Sequence, residues 1–392
     1  MTSLRRVLLL ADETSDWMVA GLRQLDRVAL SIDEFAVENR ETAPVLVCIF
    51  WRPNFDRSQR WEPKHERLTK VSFTTEIDEE PYDLILSTRL FLYRKAVRKL
   101  LETPVARGQF ITAGSEEEVW QTHFRLIESL PRVRDGAWEY LTDGNQIDAM
   151  EIRFLRATGK SQDGLVSRHL NRPISRTVTR LLLRFPTTPS AWTWWIFPIV
   201  IIASLTLLHG TYWSFLWGLA LFQVFSVLDG CDGEIARAKF LESESGRRLD
   251  DLFDILSNVL LVLGLGFGLA RRANIAGHAG WFFIMEGLLA AALIGVNEFY
   301  LATRKPVKNQ EEPASLSGAV YPRHRELVER SGLLRFGETF ASWLIQLTKR
   351  DVAMLFFVFL AAVGVPALIL HLLLVVTALS LALAVKSFTW RS

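Results

Sequence analysis

Short apolar runs separated by polar turns mark the N-terminal part of the chain. The runs are Val7 to Leu10, Val45 to Trp51 and Leu84 to Ser87, and amphipathic helical patterns such as Phe91 to Leu101 alternate with them. Strands that alternate with helices are typical of a sheet covered by helices. The pattern predicts an open α/β domain over residues 1–160.

The pattern changes in a juxtamembrane segment, residues 161–190. Apolar residues such as Leu170, Ile174 and Val178 recur there at helical spacing, among five arginines at Arg168, Arg172, Arg176, Arg180 and Arg184. A basic amphipathic helix of this kind is typical of an anionic membrane surface. The alternative is a solvated helix that packs on the soluble domain.

Long hydrophobic blocks follow and predict an all-α, six-helix transmembrane domain over residues 191–392. The turn Gly364-Val365-Pro366 divides the last apolar stretch into two spans. The six predicted spans are 191–208, 213–239, 249–270, 279–302, 351–365 and 367–387.

Charged loops indicate the orientation. Basic residues of segments 168–184, 239–248 and 304–350 fall on one side of a six-span topology, whereas Arg271 and Arg272 fall on the other. The side richer in Lys and Arg is expected to be cytoplasmic. The pattern therefore predicts a multi-pass protein of the inner membrane whose N-terminal domain faces the cytoplasm.

Composition narrows the possible partners. The 45 basic residues are nearly balanced by 43 acidic ones, so the sequence gives no sign of nucleic-acid binding. The two cysteines, Cys48 and Cys231, form no disulfide framework, and this fits a reducing compartment.

Four aspartates near the second and third spans carry the candidate chemistry. The sequence reads Asp229-Gly-Cys-Asp232-Gly233-Glu-Ile-Ala236-Arg237, then eight residues, then Gly246-Arg-Arg-Leu-Asp250-Asp-Leu-Phe-Asp254. One helical turn separates the aspartates within each pair, so each pair shares a helix face. If the two helices pack together, four carboxylates converge and require cations to neutralise them. Oxygen ligands favour magnesium or manganese, with calcium possible.

Small residues in this segment, at positions 233, 236 and 246, clear the helix face beside the carboxylates, so that a ligand or backbone can approach. Arg237 adds a cation suited to a phosphate. The alternative is a structural salt-bridge network between the aspartates and the neighbouring arginines.

The pattern D-x-x-D-G-x-x-A-R, eight residues, G-x-x-x-D-x-x-x-D resembles the signature of the CDP-alcohol phosphotransferase, or CDP-alcohol phosphatidyltransferase, family at every defined position. The resemblance implies two divalent cations, Mg²⁺ or Mn²⁺, held by Asp229, Asp232, Asp250 and Asp254, with Asp254 also the general base. It implies a CDP site formed by Asp229, Gly233, Ala236, Arg237 and Gly246.

The same resemblance implies the reaction and its partners. An acceptor alcohol would attack the phosphorus of a CDP-alcohol donor, forming a phosphodiester and releasing CMP. The partners are then the donor, the acceptor and membrane lipids, and the family resemblance implies a homodimer.

A second resemblance involves Asp163 to Ser175 and Pro186-Thr-Thr-Pro189, which look like the juxtamembrane segment of a fused subfamily that includes di-inositol-phosphate phosphate synthases. It implies an N-terminal nucleotidyltransferase-like, Rossmann-like domain and inositol phosphate as acceptor. Lys349 and Arg350 would hold the acceptor phosphate, and plain interfacial anchoring is the alternative.

The N-terminal domain departs from that subfamily where phosphates would bind. A Gly-rich loop is expected after the first strand, since backbone N–H groups must approach the phosphates. This chain instead reads Ala11-Asp-Glu-Thr-Ser-Asp-Trp-Met. We therefore expect a degenerate domain that serves assembly, regulation or substrate delivery.

Two other classes of function compete with the enzyme: a non-catalytic membrane scaffold with structural aspartates, and a cation transporter. A shallow carboxylate cluster does not describe a path across the bilayer, which argues against transport. Glu286, Asn297 and Glu298 lie in the fourth predicted span. They could face a polar cavity or form a buried hydrogen bond between helices.

Overall fold

A computed structural model describes residues 4–41, 43–55, 63, 67–77, 80–103, 114–130, 137–157, 166–303 and 350–389. Two compact units can be distinguished. The first contains the described residues before position 160 together with 180–186 and 237–240, and the second contains the other described residues.

The first unit is built on a parallel sheet of four strands in the order β5-β4-β1-β6. Two short antiparallel pairs, β2 with β3 and β7 with β8, accompany it. The strands are β1 Arg6–Ala11, β2 Met18–Val19, β3 Leu22–Arg23, β4 Val45–Trp51, β5 Val71–Thr74, β6 Leu84–Ser87, β7 Leu90–Leu92 and β8 Trp138–Tyr140. The predicted α/β class is confirmed for this unit.

The central strand β1 pairs with β4 on one side and with β6 on the other, so that Val7 lies opposite Val47 and Leu84. Nearly all residues of these three strands are buried. A strand covered on both faces is apolar without alternation, and this explains why the continuous apolar runs marked these strands in the sequence.

The helices of the first unit are α1 Gln24–Glu38, α2 Ala96–Leu101, α3 Glu116–Glu128 and α4 Ile147–Ala157. The helix predicted from Phe91 to Leu101 is wrong in its first part. Phe91 lies in β7 and pairs with Glu139 of β8, and the helix begins only at Ala96. Pairing with a strand more than 40 residues away overrides the local helical pattern.

Three arginines of the first unit donate to main-chain carbonyls at residues 237–240. The donors are fully buried Arg27 to Ala238 O (3.1 Å), Arg94 to Arg237 O (3.1 Å) and Arg67 to Phe240 O (2.8 Å). The last carbonyls of a helix lack intrahelical partners and favour nearby cations. Within the first unit, these contacts therefore satisfy the main-chain carbonyls of Arg237, Ala238 and Phe240.

The second unit is helical. Its helices are α5 Arg172–Leu182, α6 Pro189–Leu207, α7 Tyr212–Ala238, α8 Glu244–Ile275, α9 Trp281–Thr303, α10 Arg350–Ala362 and α11 Pro366–Thr389, with the ends of α5 and α7 counted in the first unit. Each predicted span falls on one of α6 to α11. By length and composition, α6, α7 and α8 can each cross a membrane, and the apolar parts of the other three that the structure describes are shorter.

The ends of these helices follow from their sequences. The Thr188 side chain accepts a hydrogen bond from Ala191 N, and Pro189 occupies the first turn of α6. Both features are favoured at a helix start. Gly364, with φ of +87°, lies in the connection between α10 and α11, where the sequence predicts a tight turn.

Small residues let α8 approach its neighbours closely. A Cβ atom added to Gly268 would lie 2.1 Å from Leu207 O of α6, and one added to Gly266 would lie 2.8 Å from Phe283 O of α9. Membrane helices commonly pack through such backbone contacts. Helix α8, which carries Asp250 and Asp254, is therefore packed closely between α6 and α9.

Helix α5 turns its polar side inward. Arg172, Ser175 and Thr179 are buried, whereas Ile174 and Leu181 are exposed. Ile174 and Leu181 lie seven residues apart and therefore form an exposed apolar stripe along this basic helix.

Candidate functional site

Helix α7 places four residues of the predicted site on one face. At about 100° per residue, the side chains of Asp229, Asp232, Gly233 and Ala236 fall within a sector of roughly 100° around the helix. This sector is the face that the sequence pattern assigns to metal and nucleotide.

Helix α8 begins before the second pair of aspartates. Ser243 caps it by accepting a hydrogen bond from Gly246 N, at 3.1 Å from Ser243 Oγ. Buried Phe253 packs edge-on against Trp194 and Phe197 of α6, with ring centroids 4.8 and 4.4 Å apart. These contacts orient the face of α8 that carries Asp250 and Asp254.

The two helices bring three of the four aspartates together in a carboxylate cluster. One oxygen from each of Asp229, Asp250 and Asp254 lies within 4.8 Å of the others, and all three residues are half-buried. Oxygens that share an ion at about 2.0–2.6 Å cannot lie much more than about 5 Å apart. The cluster therefore fits a divalent cation with oxygen ligands.

Asp232 lies on the same face of α7, but its carboxylate is engaged with α6. Its Oδ2 accepts a hydrogen bond from Thr193 Oγ1 at 3.0 Å, and its Oδ1 accepts one from Gly233 N. Thr193 lies outside the aspartate pattern, and sequence reasoning missed it. Its position on the facing helix could be read only from the packing.

The other predicted site residues are placed as follows. Gly233 and Ala236 are half-buried on α7, and Arg237 follows in its last turn. A Cβ atom added to Gly246 would lie 3.0 Å from Ser243 Oγ, so this glycine accommodates the cap of its own helix. Lys349 lies outside the described residues, and Arg350 is the first residue of α10.

A buried polar network lies on the opposite side of α7. Glu234, 1% exposed, accepts hydrogen bonds from Arg172 Nη1 (2.9 Å), Ser175 Oγ (3.0 Å) and Thr179 Oγ1 (2.7 Å). Sequence reasoning missed this network, although an acidic residue inside an apolar helix signals a buried partner.

Glu286 also has a definite partner. Its Oε1 lies 2.6 Å from Nδ1 of His371, which joins α9 to α11. The structure thus favours the buried hydrogen bond between helices over the polar cavity. Asn297 lies on α9 outside this pair, and the side chain of Glu298 lies outside the described residues.

Comparison with known proteins covers both the aspartate segment and its flanks. The model of the CDP-alcohol phosphatidyltransferase family matches residues 186–385, just over half of the chain. Three relatives are named bifunctional IPC transferase and DIPP synthase. They come from Thermococcus kodakarensis (44% identical over 132 residues, 34% of this chain and 28% of the relative), Rubrobacter xylanophilus (33% over 154, 39% and 34%) and Archaeoglobus fulgidus (30% over 116, 30% and 23%).

The matched regions span about a third or less of these relatives' lengths, so they support similarity in that region only. The family match includes all four aspartates and the helices that carry them. The spacing of the aspartates, the clustering of three of them and the extent of the match agree: this chain belongs to the CDP-alcohol phosphatidyltransferase family.

Proposed function

We propose that this protein transfers a phosphoalcohol group from a CDP-alcohol to an acceptor alcohol in the membrane, with release of CMP. The observation that carries the proposal is the cluster of Asp229, Asp250 and Asp254, formed by two helices inside the family's matched region.

Two divalent cations, Mg²⁺ or Mn²⁺, would be held by the clustered aspartates together with Asp232, one turn along α7 from Asp229. When bound, such cations offset the charge of the pyrophosphate and of the departing CMP. The protein's own contribution is rigidity, because a carboxylate held by helix packing needs no reorganisation when a cation binds.

We assign the proton transfer to Asp254. The acceptor oxygen forms a bond to the CDP phosphorus that carries the donor alcohol, and the bond from that phosphorus to the CMP oxygen breaks. The hydroxyl proton passes to an Asp254 oxygen. Its place in the carboxylate cluster supports this role, since a base must lie within hydrogen-bond reach of the proton that it accepts.

The nucleotide would lie along the small-residue face of α7. Gly233 and Ala236 leave room beside Asp229 for the cytidine, and Arg237 offers a cation to the phosphates. Gly246 would face the same ligand from the start of α8. The half-buried state of Asp229, Gly233, Ala236 and Gly246 supports an accessible cleft.

For the acceptor we propose inositol phosphate, with Lys349 and Arg350 as partners of its phosphate. The relatives named IPC transferase and DIPP synthase support this choice over the region that they share with the chain. The position of Arg350 at the start of α10 is compatible with this role.

We further propose domains at 1–160, 161–190 and 191–392, with six spans, the N-terminal domain and the site on the cytoplasmic side of the inner membrane, and a homodimer. The exposed apolar stripe of α5 supports a helix that lies on the lipid surface.

We propose that the first unit is nucleotidyltransferase-like and degenerate. Buried Asp12 follows the end of β1, at the carboxyl edge of the parallel sheet where ligands of such folds bind. Its carboxylate accepts hydrogen bonds from Thr14 N and Arg89 Nε, and Arg89 also pairs with Glu13. Carboxylates at this position repel phosphates.

The test is CMP release by purified protein in detergent. CDP-diacylglycerol and CDP-inositol serve as donors against a panel of acceptors that includes inositol phosphate, each with Mg²⁺ and with excess chelator. We expect CMP release that needs both an acceptor and the cation. Protein that binds a CDP donor but releases no CMP with any acceptor would favour the scaffold over the enzyme.

A further inference from the structure

Helix α7 has a second face with buried polar contacts, roughly opposite the aspartates. At about 100° per residue, Gly230, Cys231 and Glu234 point between about 100° and 200° away from Asp229 around the helix. All three contact α5: a Cβ atom added to Gly230 would lie 3.2 Å from Arg172 Nη1, and Cys231 Sγ lies 3.4 Å from Ser175 O.

Glu234 is the centre of this face. Both of its carboxylate oxygens are used, Oε1 by Arg172 and Ser175 and Oε2 by Thr179. The side chains of Glu234 and Arg172 are 2% and 9% exposed, so the ion pair is withdrawn from solvent.

A buried ion pair is a poor source of net stability, because desolvation of both charges offsets their attraction. The ion pair nevertheless requires one specific arrangement of the two helices, because a guanidinium and two hydroxyls must all donate to one carboxylate. A rotation of α7 by one residue position, about 100°, would break all three hydrogen bonds. The pair therefore fixes the rotation of α7 against α5.

A second contact between these segments lies farther along α7. Gln223 Nε2 donates to Asn171 Oδ1 at 3.1 Å, three turns before Glu234. Two polar contacts separated along one helix restrain both its rotation and its sliding. The rotation matters because Asp229 must face α8, where Asp250 and Asp254 are held by other contacts.

We propose that Glu234 is a positioning residue of the metal centre. Its hydrogen bonds to Arg172, Ser175 and Thr179 hold one face of α7 against α5. The opposite face, which carries Asp229, is then turned toward Asp250 and Asp254 of α8. The effect of Glu234 on turnover rests on the proposed function, but its effect on cation binding does not.

The test compares Glu234→Gln, Arg172→Gln and the double variant in the full-length protein. The readout is the Mn²⁺ dissociation constant, measured by electron paramagnetic resonance on protein whose folded fraction is known from thermal unfolding. Loss of a residue that orients a metal ligand through a direct hydrogen bond typically costs about 10–100-fold in metal affinity, and a less direct restraint is expected to lie at the lower end of that range. We expect each single variant to bind Mn²⁺ about 10-fold more weakly, and the double variant to be no weaker than the singles.

Arg172→Gln separates positioning from simple electrostatics. Removal of a positive charge close to a cation site would strengthen Mn²⁺ binding by Coulomb attraction alone, whereas loss of positioning weakens it. The matched control is Glu244→Gln, which removes a negative charge from the 60%-exposed side chain of a residue on α8. We expect that control to change Mn²⁺ affinity less than twofold.

Unaltered or tighter Mn²⁺ binding by Arg172→Gln, or unaltered binding by Glu234→Gln, would overturn the positioning role. Thr179→Val, which removes one hydroxyl and no charge, is the fallback if either charge variant fails to fold, and it should weaken binding in the same direction. Wild-type protein that binds Mn²⁺ but releases no CMP would reject the proposed function and leave this test intact. Wild-type protein that binds no Mn²⁺ would reject both proposals.

Discussion

Asp250, Asp251 and Asp254 share two turns of α8 and yet have different surroundings. Asp251 is exposed, and its carboxylate accepts a hydrogen bond from Arg247 at 3.1 Å. Asp250 and Asp254, at i and i+4, share the face that meets Asp229. One residue of offset on a helix is about 100°, enough to separate a proposed ligand from a surface charge.

Asp254→Asn should abolish CMP release while leaving binding of a CDP donor detectable, because the amide keeps the shape but cannot accept the proton. We expect a loss of at least about 100-fold, the range of general-base catalysis. The measurement is steady-state CMP release together with equilibrium binding of a CDP donor.

Asp251→Asn is the matched control for this prediction, with the same chemical change on the same helix but outside the cluster. It should keep turnover within about twofold, since exposed ion pairs contribute little. Retained turnover in Asp254→Asn would remove the general-base assignment.

Helix spacing alone indicated which residues of α7 and α8 share a face, because a 3.6-residue period fixes side-chain direction within one helix. It could not indicate Thr193 or Arg172, which reach α7 from other helices. Partners of this kind depend on which helices pack together, and that information is not local in the sequence.

Whole strands and helices could be predicted from the sequence where their pattern does not depend on a distant partner. The runs Val45 to Trp51 and Leu84 to Ser87 became β4 and β6 with the predicted bounds, since a buried parallel strand is apolar along its whole length. The helix predicted to begin at Phe91 was wrong in its first part, because Phe91 belongs to β7, which forms by pairing with the distant strand β8. Hydrophobic blocks indicated where the helices α6 to α11 lie, and three of these, α6, α7 and α8, are long and apolar enough to cross a membrane.

The close packing of α8 against α6 is expected to stabilise the helical unit. Gly268→Ala should lower the thermal unfolding temperature in detergent, because the new methyl group would meet Leu207 O at 2.1 Å and force the helices apart. We expect a cost of about 1–3 kcal/mol, the usual range for overpacking.

Gly295→Ala on α9 serves as the comparison, since an added Cβ atom there meets no atom of the described residues within 4 Å. Alanine is the better helix former, so this variant should unfold at the wild-type temperature or above it. Equal unfolding temperatures for the two variants would show that the close approach of α6 and α8 contributes nothing to stability.

The chain combines an α/β unit with a helical unit of a membrane-enzyme family. The first unit presents Asp12 and Glu13 near the carboxyl edge of its sheet, both paired with Arg89. To bind there, a nucleoside triphosphate would have to displace these ion pairs, and the two carboxylates would repel its phosphates.

We therefore expect no release of pyrophosphate when the protein is incubated with CTP, Mg²⁺ and inositol phosphate. A coupled pyrophosphate assay checks this prediction, with an active cytidylyltransferase as positive control. Pyrophosphate release that depends on both CTP and the polyol phosphate would show that the first unit keeps a cytidylyl-transfer site.

Titration with Mn²⁺, followed by electron paramagnetic resonance, tests whether the aspartates of α7 and α8 form one divalent-cation centre. Wild-type protein should bind Mn²⁺, Asp250→Asn should weaken that binding by about 10-fold or more, and Asp251→Asn should not. Wild-type protein that binds no Mn²⁺, or equal affinity in all three proteins, would show that these aspartates form no such centre.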